Sequence, residues 1–166
     1  MKATVTVRDA VLGDAEAIRQ IYNHEVTTGT STFDIEPRSP LQQRDWMQQR
    51  SGVHLVLVAV DDDGEVMGFA SLSQYKQKPC YSTTVENSIY VSPDHQRKGV
   101  GRALMSRVIE LAREHGFHSI IARVVAENTG SVLLHEAVGY DRIGLEKQIG
   151  RKFGRWLDLQ VLQLML

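Results

Sequence analysis

The stretch from Val85 to Val125 constrains this chain most. Residues 85–91, VENSIYV, read as a strand rich in Val, Ile and Tyr that is stopped by Ser92-Pro93. A long helix is then predicted from near Gly99 to near His115. It carries Val100, Leu104, Val108, Leu111 and Ala112 on one side, and Gly116 closes it. SIIARVV, residues 119–125, follows as a buried strand. Two strands joined through a helix of this length form a parallel pair, because a tight turn joins only antiparallel neighbours. The fold class is therefore α/β, with helices packed on a sheet.

The flanks predict a mixed central sheet flanked by helices. Thr4 to Arg8 alternates as a strand does, and Asp14 to Val26 sets Ala15, Ile18, Tyr22 and Val26 at helical spacing. The polar run TTGTSTFDIEPRSP is long enough for a functional loop, with Phe33 as its aromatic residue. Ser39-Pro40 then opens a short helix. His54 to Val60 and Val66 to Leu72 form an antiparallel hairpin across Asp61-Asp62-Asp63-Gly64. The three aspartates are read as solvated turn residues in preference to a cation site. Thr129 to Val138 is a short helix before Gly139, and strands close the chain around Tyr140 to Ile149 and Trp156 to Leu164. With 166 residues, one domain over residues 1–166 is expected.

Composition narrows the function. Nineteen Lys and Arg against twenty Asp and Glu leave a net charge of -1, so no overall positive field draws the chain to nucleic acid. No apolar run approaches the roughly 20 residues that span a bilayer, and MKATVTVRDAV lacks the apolar stretch of a secretory signal. No nucleic acid, no membrane and a cytoplasmic location are expected. Cys80 is alone, and the six histidines show no His-x-x-x-His spacing, so no metal site is expected either.

Chemistry concentrates in IYVSPDHQRKGVGRALM. A helix start leaves backbone N–H groups unpaired beside a partial positive charge, which suits a pyrophosphate. Gly99 and Gly101 would let the phosphate approach, and Arg97, Lys98 and Arg102 would add charge-assisted contacts. A Walker loop would need Lys and Ser or Thr after the glycine, where Val100 stands, and a Rossmann fingerprint would need glycine where Leu104 stands. The plainer alternative is a turn eased by glycine and followed by a solvated basic helix start.

The spacing Gln96-Arg97-x-Gly99-x-Gly101, between strand and long helix, resembles the acetyl-coenzyme A motif of the GCN5-related N-acetyltransferases (GNAT). Within that superfamily, TVENSIYVSPDHQRKGVGRALM, GFHSIIARVVAENTGSVLLHEAVGY, GRKFGRWLD, STFDIEP and MGFAS resemble the phosphinothricin and methionine sulfoximine acetyltransferase group. The resemblance implies the GNAT fold and acetyl transfer from acetyl-CoA to the amine of a small amino-acid-like acceptor. It also implies that amides around Gln96 to Gly101, Val100 included, hold the pyrophosphate and that Tyr90-Val91 pair with the pantetheine arm. Asn128 is implied to contact that arm, with Ser131 beside it, and His135 shares their helix face.

An amine must lose a proton before it attacks a thioester, and Glu86 is the candidate base, matching the glutamate of the resembled group. A carboxylate that only holds a loop is the alternative. An N–H near Val91 would meet the developing negative charge. Many members of the superfamily carry a tyrosine seven residues after the asparagine, where this chain has His135. His135 is read either as acid for the thiolate or substrate contact, or as a buried structural histidine. Phe33, Tyr75 and Lys76 are expected to provide an apolar surface and a cation for the acceptor, and Tyr81 is a weaker candidate. GRKFGRWLD, with Lys152, Arg155 and Trp156, is expected near the acceptor pocket or at a dimer contact, and a homodimer is expected. A module that binds acyl-CoA without catalysis and a protein or peptide N-acetyltransferase are the rival functions.

Overall fold

The computed structural model describes residues 4–166. Seven strands make one sheet: β1 (Thr6–Asp9), β2 (Val56–Val60), β3 (Val66–Gln74), β4 (Thr84–Val91), β5 (Ser119–Val125), β6 (Asp141–Lys152) and β7 (Arg155–Met165). Their spatial order is β1-β2-β3-β4-β5-β7-β6. Only β4 and β5 run parallel, so the sheet is mixed, as expected from the helix that joins them. The helices are α1 (Ala15–Thr28), α2 (Pro40–Gln48), α3 (Val100–Glu114) and α4 (Thr129–Ala137).

Two apolar layers sandwich the sheet. On one side Ile18, Tyr22 and Val26 of α1 and Met47 of α2 pack on Val56, Val58, Val60 and Phe69. On the other, Val100, Leu104 and Val108 of α3 pack on Leu57, Ala59, Leu72, Val85, Ile120 and Leu162. Every residue of β2 is buried, with odd and even positions feeding opposite layers, which is why VLVAV is apolar without interruption.

Local chemistry sets several boundaries. The Ser39 hydroxyl accepts from the Gln42 amide at 3.2 Å, and the Gln42 side chain accepts from the Ser39 amide at 2.8 Å, closing a reciprocal cap around Pro40. Asp61 Oδ1 accepts from the amides of Asp63 (3.0 Å) and Glu65 (2.8 Å), so the acidic tip is an Asp-closed turn. β6 continues past the expected end at Ile149 to Lys152. A register shift between Glu146 and Gly150 lets it resume pairing, and the Gln148 amide donates to Asp158 Oδ1 at 2.7 Å. Among the described residues no helix is long and apolar enough to cross a membrane.

Candidate active site

β4 and β5 are paired over only Thr84↔Ser119, Val85↔Ile120 and Glu86↔Ile121. Beyond Glu86 they part: β4 stays on β3 as far as Val91↔Gly68, and β5 stays on β7 as far as Val125↔Leu159. The β4 edge from Asn87 to Val91 thus has no strand partner toward β5. The opening is a cleft of about 440 Å³ that runs from Glu86 to the mouth of α3. Strand alternation turns Val85, Asn87, Ile89 and Val91 toward α3, and Glu86, Ser88 and Tyr90 toward the α1 side. Tyr90 stacks on Phe69 at 5.3 Å and meets Tyr22 edge-on at 5.2 Å, so its ring belongs to the α1 layer.

At the far end, Arg97 (φ 60°) and Gly99 (φ 87°) both adopt left-handed backbone, which turns the chain sharply into α3. The Ala103 amide bonds to the Gly99 carbonyl at 3.0 Å, so the amides of Val100, Gly101 and Arg102 precede it without an acceptor inside the helix. Gln96, Arg97 and Arg102 line the same end. Free amides beside two guanidinium groups fit a diphosphate, and the unpaired β4 edge fits an extended, amide-bearing arm. Two expectations change. The Val100 side chain lies in the core, so only its amide is available, and the exposed Lys98 side chain lines no part of the cleft. Gly101 borders the cleft, but its missing side chain has a packing reason: a Cβ there would sit 2.9 Å from Leu134 Cδ2, so α3 and α4 approach through it.

Glu86 is half-buried and lines the cleft, and no hydrogen bond engages its carboxylate among the described residues. Burial raises its pKa above the ordinary carboxylate value; nearby Arg123 opposes the shift and Glu146 reinforces it. Arg123 also lines the cleft, and its Nε donates to Glu146 Oε2 at 3.2 Å, with Nη2 closer still.

His135 borders the cleft but is only 1% exposed. Nδ1 lies 2.7 Å from the Ser131 carbonyl oxygen, which only accepts, so Nδ1 carries the proton. Nε2 then accepts from Asn87 Nδ2 at 3.1 Å, and Asn87 Oδ1 accepts from the Tyr140 hydroxyl at 3.0 Å. Burial lowers the His135 pKa, so the ring is held neutral with both nitrogens occupied. In this arrangement both ring nitrogens of His135 already have partners inside the protein. Asn87 and Tyr140 were not singled out from the sequence. The available signal was an amide among Val85, Ile89 and Val91 on the buried face of a strand.

Asn128 and Ser131 both line the cleft. Asn128 also caps α4: its Oδ1 accepts from the Ser131 amide at 3.2 Å, while Nδ2 donates to Ser31 Oγ at 3.1 Å. Glu127 binds Thr30 at 3.0 Å and Arg155 at 2.9 and 3.1 Å, which fastens the loop after α1 to the turn after β5. Lys152, 5% exposed, donates to the carbonyls of Thr32 (2.9 Å) and Glu25 (3.3 Å) and so also tethers that loop. Trp156 is exposed beside Arg151.

The residues expected to wall the acceptor site do not line the cleft. Phe33 lies against Gly150, where a Cβ would overlap its ring. Tyr75 and Tyr81 meet edge-on at 5.6 Å, and Lys76 Nζ lies 5.0 and 5.2 Å from their ring centroids, a self-contained cluster in the loop between β3 and β4.

A splayed parallel pair and a free-amide helix mouth form a cleft that fits an extended acyl carrier with a diphosphate, and an unpaired carboxylate lines the same cleft. Residues 16–140 match the profile of the acetyltransferase (GNAT) family, and the chain belongs to that family. It is 36% identical over 162 residues to the L-methionine sulfoximine/L-methionine sulfone acetyltransferase of Salmonella typhimurium, across 98% of this chain and 95% of that one. A phosphinothricin acetyltransferase from Sinorhizobium meliloti, solved in complex with acetyl-CoA, superposes with a TM-score of 0.94 at 36% identity, over 100% of this chain and 89% of the other. A ribosomal-protein-alanine N-acetyltransferase from Brucella melitensis superposes with a TM-score of 0.94 at 33% identity, over 97% and 99%.

Proposed function

We propose that this protein transfers an acetyl group from acetyl-CoA to the amine of a small amino-acid-like acceptor of the phosphinothricin, methionine sulfoximine or methionine sulfone type. Acetyl-CoA supplies the thioester. The amides of Val100, Gly101 and Arg102, with Arg97 and Arg102, bind its diphosphate, and the β4 edge near Tyr90 and Val91 aligns the pantetheine arm beside Asn128 and Ser131. Glu86 takes the proton from the acceptor amine. A carboxylate that already resists ionisation accepts that proton more readily near neutral pH than an ordinary glutamate does. The Val91 amide, on the β4 edge that has no partner in β5, would donate to the oxygen where negative charge develops. The Asn87–His135 pair fixes β4 against α4 behind the reacting atoms, so His135 positions the wall and is not the acid.

The observation that carries this reading is the unpartnered Glu86 carboxylate in the same cleft as the free-amide mouth of α3. A module that only binds acyl-CoA has no need of it. The test is release of free CoA from acetyl-CoA with a panel of amines: phosphinothricin, methionine sulfoximine, methionine sulfone and peptides beginning with alanine. Fastest release with the free amino acids supports the proposal. Exclusive turnover of the peptides would assign the chain to protein acetylation, a reading favoured by its likeness to the Brucella structure. We also propose a homodimer that covers Ile149, Phe153 and Trp156, apolar side chains exposed on β6, β7 and the turn between them. Light scattering that reports a monomer at micromolar concentration would refute it.

A further inference from the structure

We propose that Arg123 receives the α-carboxylate of the acceptor while Glu86 takes the proton from its amine. This rests on the reading of the acceptor as a free amino acid.

Three cations line the cleft. Arg97 and Arg102 stand at the mouth of α3, and Arg123 stands at the opposite end, close enough to Glu86 for its charge to act on that carboxylate. Register explains the proximity. Glu86 pairs with Ile121 across the parallel strands, so both side chains point to one face. Arg123 lies two residues further along β5, hence on that same face and about 7 Å along the strand. The amine and carboxylate of an α-amino acid are separated by one carbon, so a molecule that offers its amine to Glu86 needs a cation in this neighbourhood.

The other basic residues nearby are committed or elsewhere. Lys152 is buried on two backbone carbonyls, and Arg155 is bound through both Nη atoms to Glu127. Lys76 lies over Tyr75 and Tyr81, outside the cleft. Arg123 uses Nε and Nη2 on one carboxylate oxygen of Glu146, and its Nη1 has no hydrogen-bond partner among the described residues. A guanidinium has five N–H donors in one plane, so one edge can hold Glu146 while Nη1 donates to a second carboxylate. Glu146 thereby orients Arg123 and competes with the acceptor for its charge. Arg123 is also the lone charge in the apolar strand SIIARVV.

The experiment compares L-methionine sulfone with its carboxamide, which keeps the amine and side chain but carries no negative charge. The readout is the ratio of kcat/KM for the acid to that for the carboxamide. In the wild type the acid is favoured. Arg123→Gln is expected to lower the ratio roughly 10- to 100-fold, the usual effect of losing a charge-assisted hydrogen bond, through the KM of the acid and with the KM for acetyl-CoA unmoved. Arg123→Lys recovers part of the loss. Glu146→Gln lowers the KM of the acid, because a competitor is removed, whereas a merely structural ion pair would suffer alike from either substitution. An unchanged ratio in Arg123→Gln overturns the role of Arg123 and leaves the acceptor class standing. If that variant does not fold, an unchanged or raised acid KM in Glu146→Gln overturns it instead. Turnover by the wild type of alanine-initiated peptides but of neither probe overturns the acceptor class, and the role of Arg123 with it.

Discussion

Removal of one hydroxyl tests the buried hydrogen-bond chain that runs from Tyr140, just before β6, through Asn87 of β4 to His135 of α4. In Tyr140→Phe the ring keeps its edge-on contact with His135, at 5.0 Å between centroids, and only the hydroxyl is lost. Burial raises the Tyr140 pKa, so the hydroxyl is a donor at every working pH, and Asn87 Oδ1 is its acceptor at 3.0 Å. Without it that oxygen is left in a buried site with no other donor among the described residues. An orphaned buried acceptor costs about 1–3 kcal/mol. For a domain of this size each 1 kcal/mol lowers Tm by about 2–4 °C, so a central loss of about 2 kcal/mol corresponds to about 4–8 °C. Thermal melts followed by circular dichroism, with urea titrations to confirm an unchanged slope, measure it. The same substitution in an Asn87→Leu background supplies the control, because there the hydroxyl has no partner and its removal becomes neutral or stabilising. The coupling energy between the two positions is thus expected at about 1–3 kcal/mol. Equal cost in both backgrounds would falsify the claim that this hydrogen bond ties Asn87 of β4 to Tyr140.

Glu86→Gln should lower kcat/KM for the acceptor most where wild-type Glu86 is ionised, and should flatten the acidic limb of the pH profile, which lies above the ordinary carboxylate range; an unshifted limb removes Glu86 as base. Because its folded pKa is raised, ionisation of Glu86 opposes folding as pH rises through that pKa, so Glu86→Gln should raise Tm at neutral pH and give no gain below the ordinary glutamate range. Asp14 has the opposite sign: two hydrogen bonds from Arg8 (2.8 and 2.9 Å), and one from the Val11 amide, lower its pKa. Its stabilisation is therefore present above the unfolded aspartate pKa and lost as pH falls through the folded one, and Asp14→Asn should remove that acid-sensitive part of Tm. Gly101→Ala should cost less than about 1.5 kcal/mol, because the atom it meets is the flexible end of Leu134, and Leu134→Ala should relieve it; a larger loss that survives the double substitution would show that the helix mouth itself resists a side chain.

Short-range chemistry made much of this protein legible in advance. Serine and proline at 39–40 announce a capped helix, Asp61 to Gly64 a hairpin turn, and Gly99 the start of α3. The strand, helix, strand succession from Val85 to Val125 forces a parallel pair, and Val85 and Glu86 fall on opposite faces as alternation requires. Each depends on backbone preference or side-chain periodicity within a few residues, which a single sequence carries.

What the tertiary structure decided depends on residues far apart in the chain. β4 and β5 part where β4 stays on β3 and β5 stays on β7, and no local signal marks Glu86 as the last shared rung. His135 is buried with Asn87, 48 positions away, facing its second nitrogen, and Asn87 is held in turn by Tyr140, 53 positions away. Lys76 and Arg123 are both cationic side chains in the sequence, yet of the two only Arg123 lines the cleft with Glu86. Charge and hydrogen-bonding capacity are written in residue identity, but which groups come within reach of one another is set by strand order and register, and those are properties of the whole packed sheet.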